Sequence, residues 1–130
     1  MGEFALVRHD LRRAGARPRG VAPGVGADGA PLAPEPGQRL AISTDMLVEG
    51  RHFFADVDPV ALGHKALAVN LSDLAAMGAK PLGCTLALAL PRADAAWLAG
   101  FSRGLFELAD AAACPLVGGD TTRGPLNICI

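Results

Sequence analysis

An α+β fold is what this 130-residue sequence predicts, on three observations. Two long stretches, 59–77 and 95–112, repeat their apolar residues at helical spacing. Between them, residues 82–90 alternate strictly between bulky and small side chains. Short apolar segments at 39–45, 115–118 and 126–130 complete the set as further strands. Two long helices packed on one face of a mixed or mainly antiparallel sheet satisfy this order. The length suits a single domain over 1–130 and is too short for two.

Residues 3–14 open with a helical pattern through Phe4, Val7 and Leu11. From 15 to 37, Gly, Pro, Ala and Arg dominate. Pro23, Pro31, Pro34 and Pro36 would each remove a ladder donor, so loop is expected, with at most a short strand near Val25. A strand at 39–45 and a connection at 46–58 follow. Asp58-Pro59 opens the first long helix, because aspartate caps free amides and proline suits the first helical position. That helix should stop at Gly78, with Pro81 beyond it. In the next strand Leu82, Cys84, Leu86, Leu88 and Leu90 alternate with Gly83, Thr85, Ala87 and Ala89. The small face would admit close approach by another element. Asp94 caps the second helix, where Leu98, Phe101, Leu105, Leu108 and Ala112 form the apolar stripe and Arg103, Glu107 and Asp110 the wet face. The last strand, 126–130, has no turn signal after it, so a truncated polypeptide is expected.

Composition narrows the function. Apolar residues are 51% and charged residues 19%, so the chain can bury a core. Twelve Lys and Arg against thirteen Asp and Glu leave no basic excess for a nucleic-acid backbone. Tyr is absent, which removes any phenolic acid or nucleophile. Cys84, Cys114 and Cys129 are widely spaced and include no Cys-x-x-Cys pair, which disfavours both a disulfide framework and a thiolate zinc site. Glu3 replaces the basic start of a signal peptide, Leu6 breaks the myristoylation pattern, and no apolar run reaches ~18 residues. A cytoplasmic chain with no membrane or nucleic-acid partner is expected.

The carboxylates carry the chemistry. Asp45 ends a strand in Ser43-Thr44-Asp45, Asp120 follows one in Gly118-Gly119-Asp120, and Asp28 lies in the glycine loop. Asp73 stands inside the first long helix. At ~100° per residue it shares an arc of about 80° with Leu62, Ala66, Val69 and Met77, an apolar stripe where a bare carboxylate is costly. Two explanations are open: pairing with an arginine or with backbone donors, or a hard cation such as Mg²⁺, which prefers oxygen ligands. Gly118-Gly119 would permit close approach of phosphate, although a tight turn is the ordinary explanation of the dipeptide taken alone. Gly24-Val25-Gly26-Ala27-Asp28-Gly29 matches a dinucleotide fingerprint in form only, since Pro31 and Pro34 follow where a helix should start. Arg51 and His52 could meet an anionic substrate or be a solvated loop pair. Trp97 reads as packing. Ser43 has no His–Asp pair at a triad spacing.

Three motifs together resemble the thiamine-monophosphate kinase family. They are Ser43-Thr44-Asp45-Met46-Leu47-Val48-Glu49-Gly50-Arg51-His52-Phe53, then Lys65-Ala66-Leu67-Ala68-Val69-Asn70-Leu71-Ser72-Asp73-Leu74-Ala75-Ala76-Met77-Gly78-Ala79, then Gly118-Gly119-Asp120-Thr121-Thr122-Arg123-Gly124-Pro125. Aminoimidazole ribonucleotide synthetase, selenophosphate synthetase and hydrogenase-maturation enzymes share the general Asp pattern but not the run from Thr44 to Phe53. The resemblance implies ATP-dependent phosphorylation of thiamine phosphate to thiamine diphosphate with several Mg²⁺ ions, in a homodimer built on this α+β half. It implies Asp28, Ser43, Thr44, Asp45, Asp73 and Asp120 as metal ligands, Gly119 and Asp120 at the ATP phosphates, and His52 at the thiamine phosphate. No residue is assigned to direct catalysis, because such transfer rests on positioning and charge compensation.

Two departures qualify this. The family loop carries two adjacent aspartates where this chain has Ala27-Asp28. The family's C-terminal domain is absent from the 130 residues, so the expectation is an N-terminal half without activity of its own. The alternatives are a non-catalytic nucleotide-binding or dimerisation module, a related ATP-dependent synthetase, and a phosphohydrolase using Asp45. The last lacks the usual Asp-x-Asp pair, position 47 being Leu47.

Overall fold

The computed structural model describes Leu11 and residues 31–130. In chain order the elements are β1 (Met46–Val48), α1 (Pro59–Ala76), β2 (Cys84–Leu90), α2 (Ala95–Ala111), β3 (Leu116–Arg123) and β4 (Asn127–Cys129). The strands form one sheet in the order β1-β4-β2-β3. β4 runs antiparallel to both β1 and β2, whereas β2 and β3 are parallel and joined through α2. The sheet is therefore mixed, as the sequence predicts.

Local chemistry sets the helix ends. The Asp58 carboxylate accepts from Val60 N–H, with Pro59 at the first helical position, and the Asp94 carboxylate accepts from Trp97 N–H at 3.0 Å. α1 ends at Met77, and Gly78 turns the chain away at φ +66°. Leu86, Leu88 and Leu90 of β2 and Ile128 of β4 are buried against Leu62, Ala66 and Leu67 of α1 and Leu98, Phe101 and Leu105 of α2. Leu11 joins this core at 3% exposure; the rest of the predicted helix at 3–14 lies outside the described residues. Trp97 stacks on Phe101 with ring centroids 5.1 Å apart, which bears out its reading as packing.

The face of the sheet away from the helices is small and partly apolar. Cross-strand rows place Met46, Cys129, Ala87 and Asp120 on one line and Val48, Asn127, Ala89 and Thr122 on the next. Ala87 is exposed there and Met46 is 56% exposed.

All four strands differ from expectation, β2 by starting at Cys84 instead of 82. The strand expected at 39–45 appears instead at Met46–Val48, extended by mutual backbone bonds between Asp45 and Ile130. Among the described residues, 39–44 pair with no strand, and Ile42 is 81% exposed. The strand expected at 115–118 continues to Arg123, which puts Gly118-Gly119-Asp120 inside β3 and not after it. The final strand is shorter than 126–130. Among the described residues no helix is long and apolar enough to cross a membrane.

Candidate functional site

The residues expected to hold metal fall into two places. Ser43 lies on the extended segment before β1, against the C-terminal half of α1. Its Oγ stands 3.2 Å from Asp73 Oδ2 and 3.4 Å from Asn70 Oδ1. Thr44 and Asp45 follow directly, Thr44 exposed and Asp45 half-buried. A hydroxyl and a carboxylate thus converge from positions thirty residues apart, with only oxygen donors facing each other. That donor chemistry fits a hard divalent cation.

Asp73 does not sit on a buried stripe. The buried residues of α1 are Leu62, Gly63, Ala66, Leu67 and Asn70, a face rotated from the expected one and ending before Asp73. Asp73 and Met77 are exposed, since α2 covers α1 through its earlier turns. The desolvation argument for a compensating cation therefore falls away, and the case rests on the Ser43 contact.

Asp120 stands elsewhere. It pairs in register with Ala87 and so points away from the helices, whereas alternation from buried Leu47 puts Asp45 on the helix side. Three inter-strand steps separate β1 from β3, roughly 14 Å. Among the described residues, no three His, Cys, Asp or Glu side chains gather to hold one ion. Among the described residues, Asp45, Asp73 and Asp120 do not share a single cup. Asp28 and Ala27 lie outside the described residues.

Gly119 has a structural reason to be glycine. At φ +147°, a Cβ there would lie 1.9 Å from the Leu86 carbonyl oxygen of β2. Close strand pairing, not a turn, requires the missing side chain.

His52 lies in the turn after β1, where Gly50 adopts φ +79° and Arg51 and His52 N–H groups both donate to the Val48 carbonyl. The His52 Nδ1 accepts from Val48 N–H at 2.9 Å. Neutral His52 therefore carries its proton on Nε2. Lys65 of α1 reaches across to donate from Nζ to the His52 carbonyl. Arg51, His52 and Lys65 are all exposed, so this turn offers three N–H-bearing groups to an anion.

Sequence reasoning missed two residues. Asn70 is 5% exposed, and its amide nitrogen donates to the Ala66 carbonyl one turn back. The signal was an amide four residues after Ala66, on a face otherwise apolar. Lys65 was passed over because only the fold brings it to residue 52. The cysteines are free thiols. Cys84 Sγ points at the Cys114 carbonyl at 4.0 Å, and its hydrogen bond with Cys114, together with burial, pushes the Cys84 thiol well above the usual range.

A layer of two helices on a mixed sheet, with acidic and hydroxyl groups at the edge of α1, defines the class. Residues 26–130 match the AIR synthase related protein, N-terminal domain, and the chain belongs to that family. Among its relatives, it is similar to the thiamine-monophosphate kinase of Escherichia coli (strain K12), 54% identical over 127 residues. That match spans 98% of this chain and 39% of the relative. The crystal structure of thiamine-monophosphate kinase from Stenotrophomonas maltophilia K279a superimposes with a TM-score of 0.80 at 44% identity, over 97% of this chain and 38% of that one. A structure of AaThiL complexed with AMPPCP and TMP matches 67% of this chain and 29% of its own, with a TM-score of 0.59 at 30% identity. The chain spans about two fifths of the length of the curated relatives it matches.

Proposed function

We propose that these 130 residues are the N-terminal part of a cytoplasmic thiamine-monophosphate kinase, which transfers phosphate from ATP to thiamine phosphate and forms thiamine diphosphate. The observation that carries this reading is 54% identity across nearly the whole chain, supported by a similar structure that holds AMPPCP, an ATP analogue, together with TMP. His52 serves the phosphate of thiamine phosphate, its Nε2–H turned outward by the Val48 bond, with Lys65 holding the turn. Ser43, Thr44, Asp45 and Asp73 serve Mg²⁺ on the helix side. Asp28 is a ligand by motif alone. Gly119 and Asp120 serve the nucleotide phosphates and their metal from β3, a separate locus that one ion cannot share with Asp45.

Bound Mg²⁺ would offset the negative charge gathered by two phosphorylated substrates. The chain's own residues supply position: α1 sets Lys65 and Asp73 eight residues apart, about 12 Å along its axis. The small outer face of the sheet supports a homodimer in which a second copy covers Ala87 and Met46.

Calorimetric titration of the 130-residue polypeptide with Mg-ATP tests the reading, alongside an assay for thiamine diphosphate. Binding without product is expected. Product formation would show that this part suffices alone. Failure to bind Mg-ATP would overturn the nucleotide role of this half.

A further inference from the structure

Asn70 is buried to 95% on the face of α1, yet it is not packed as a spacer. Its Nδ2 donates to the Ala66 carbonyl at 3.3 Å, which fixes the amide so that Oδ1 faces Ser43. The Ser43 hydroxyl has one proton and two acceptors in reach, Asp73 Oδ2 at 3.2 Å and Asn70 Oδ1 at 3.4 Å. A cation on Asp73 and on the Ser43 oxygen needs those lone pairs, so the hydroxyl proton must point elsewhere. Asn70 Oδ1 is a neutral acceptor within reach that can take that hydrogen bond. Aspartate at this place would add charge, and an apolar side chain would leave the proton aimed at the carboxylate.

We infer that Asn70 is a positioning residue for a divalent cation: its Oδ1 accepts the hydrogen bond of the Ser43 hydroxyl and so leaves the Ser43 Oγ lone pairs and Asp73 together as ligands. This rests on the metal reading of Ser43 and Asp73 proposed above. Because Asn70 acts through Ser43, its contribution vanishes when the hydroxyl is gone. Outer groups of this kind change metal affinity by about tenfold or more.

The test is Mn²⁺ titration of the 130-residue chain, followed by electron paramagnetic resonance, in the parent and four variants. Asp73→Asn should abolish the saturable site. Asn70→Leu and Ser43→Ala should each weaken it about tenfold, and the double variant no more than either alone. No saturable site in the parent, or no effect of Asp73→Asn, would overturn the metal reading itself. Loss in Asp73→Asn with parent-like affinity in Asn70→Leu would overturn only the role of Asn70. A further loss from Asn70→Leu in the Ser43→Ala background would reduce Asn70 to a structural residue. Should Asn70→Leu not fold, Mg²⁺ titration of the parent decides, read on the Asn70 side-chain carbonyl carbon. A shift that saturates with the metal supports the hydrogen bond from the Ser43 hydroxyl to Oδ1, and a stationary signal overturns it.

Discussion

Gly63 of α1 and Gly104 of α2 let the two helix backbones touch. A Cβ on Gly63 would lie 2.0 Å from the Phe101 carbonyl oxygen, and one on Gly104 would lie 1.9 Å from that of Val60. The contact is reciprocal, each glycine facing the other helix's backbone rather than a side chain that could rotate away. This crossing sets how far α1 extends past α2, and hence which of its residues stay at the exposed edge with Ser43.

Gly63→Ala and Gly104→Ala should each destabilise the fold by about 3 kcal/mol or more, since relief requires the helices to separate. Gly124→Ala is the control, because its Cβ would meet only Ala89 Cβ at an ordinary 3.7 Å. Urea denaturation of the three variants checks the ranking.

Gly119→Ala should cost a similar amount by breaking the approach of β3 to β2. Amide exchange will show the loss concentrated in the paired segments Leu86–Ala89 and Gly119–Thr122, with the helices less affected.

Lys65→Met should leave global stability within about 0.5 kcal/mol, because both partners are exposed. Its effect belongs to the turn. The amide of Val48 should exchange faster, and the imidazole nitrogens of neutral His52 should lose their clear Nε2–H signature in long-range ¹H–¹⁵N spectra.

Thiol chemistry should separate the cysteines. Hydrogen bonding and burial keep Cys84 protonated through mildly alkaline pH, so iodoacetamide at about pH 8 should leave it unmodified in the folded chain. Denaturation should restore its reaction.

Ala87→Arg should prevent a second copy from covering the outer sheet face. Analytical ultracentrifugation is expected to show a dimer for the parent and a monomer for the variant, with unchanged circular dichroism.

The sequence by itself determined the layers of this protein. Caps at Asp58 and Asp94, the stop at Gly78, and alternation through Leu86, Leu88 and Leu90 are local properties, and α1, β2 and α2 appear within two residues of where they put them. The three motifs likewise pointed to the family without any contact being known. What only the tertiary structure decided is which residues meet. Helical spacing alone placed Asp73 on a buried face, but the actual burial depends on where α2 crosses at Gly63 and Gly104. The Gly118-Gly119-Asp120 run looked like an exit from a strand until pairing with β2 made it part of β3. Asn70 and Lys65 acquired these partners only when Ser43 and His52 were folded onto α1, because a hydrogen bond across twenty-seven or thirteen residues has no periodic trace in the chain.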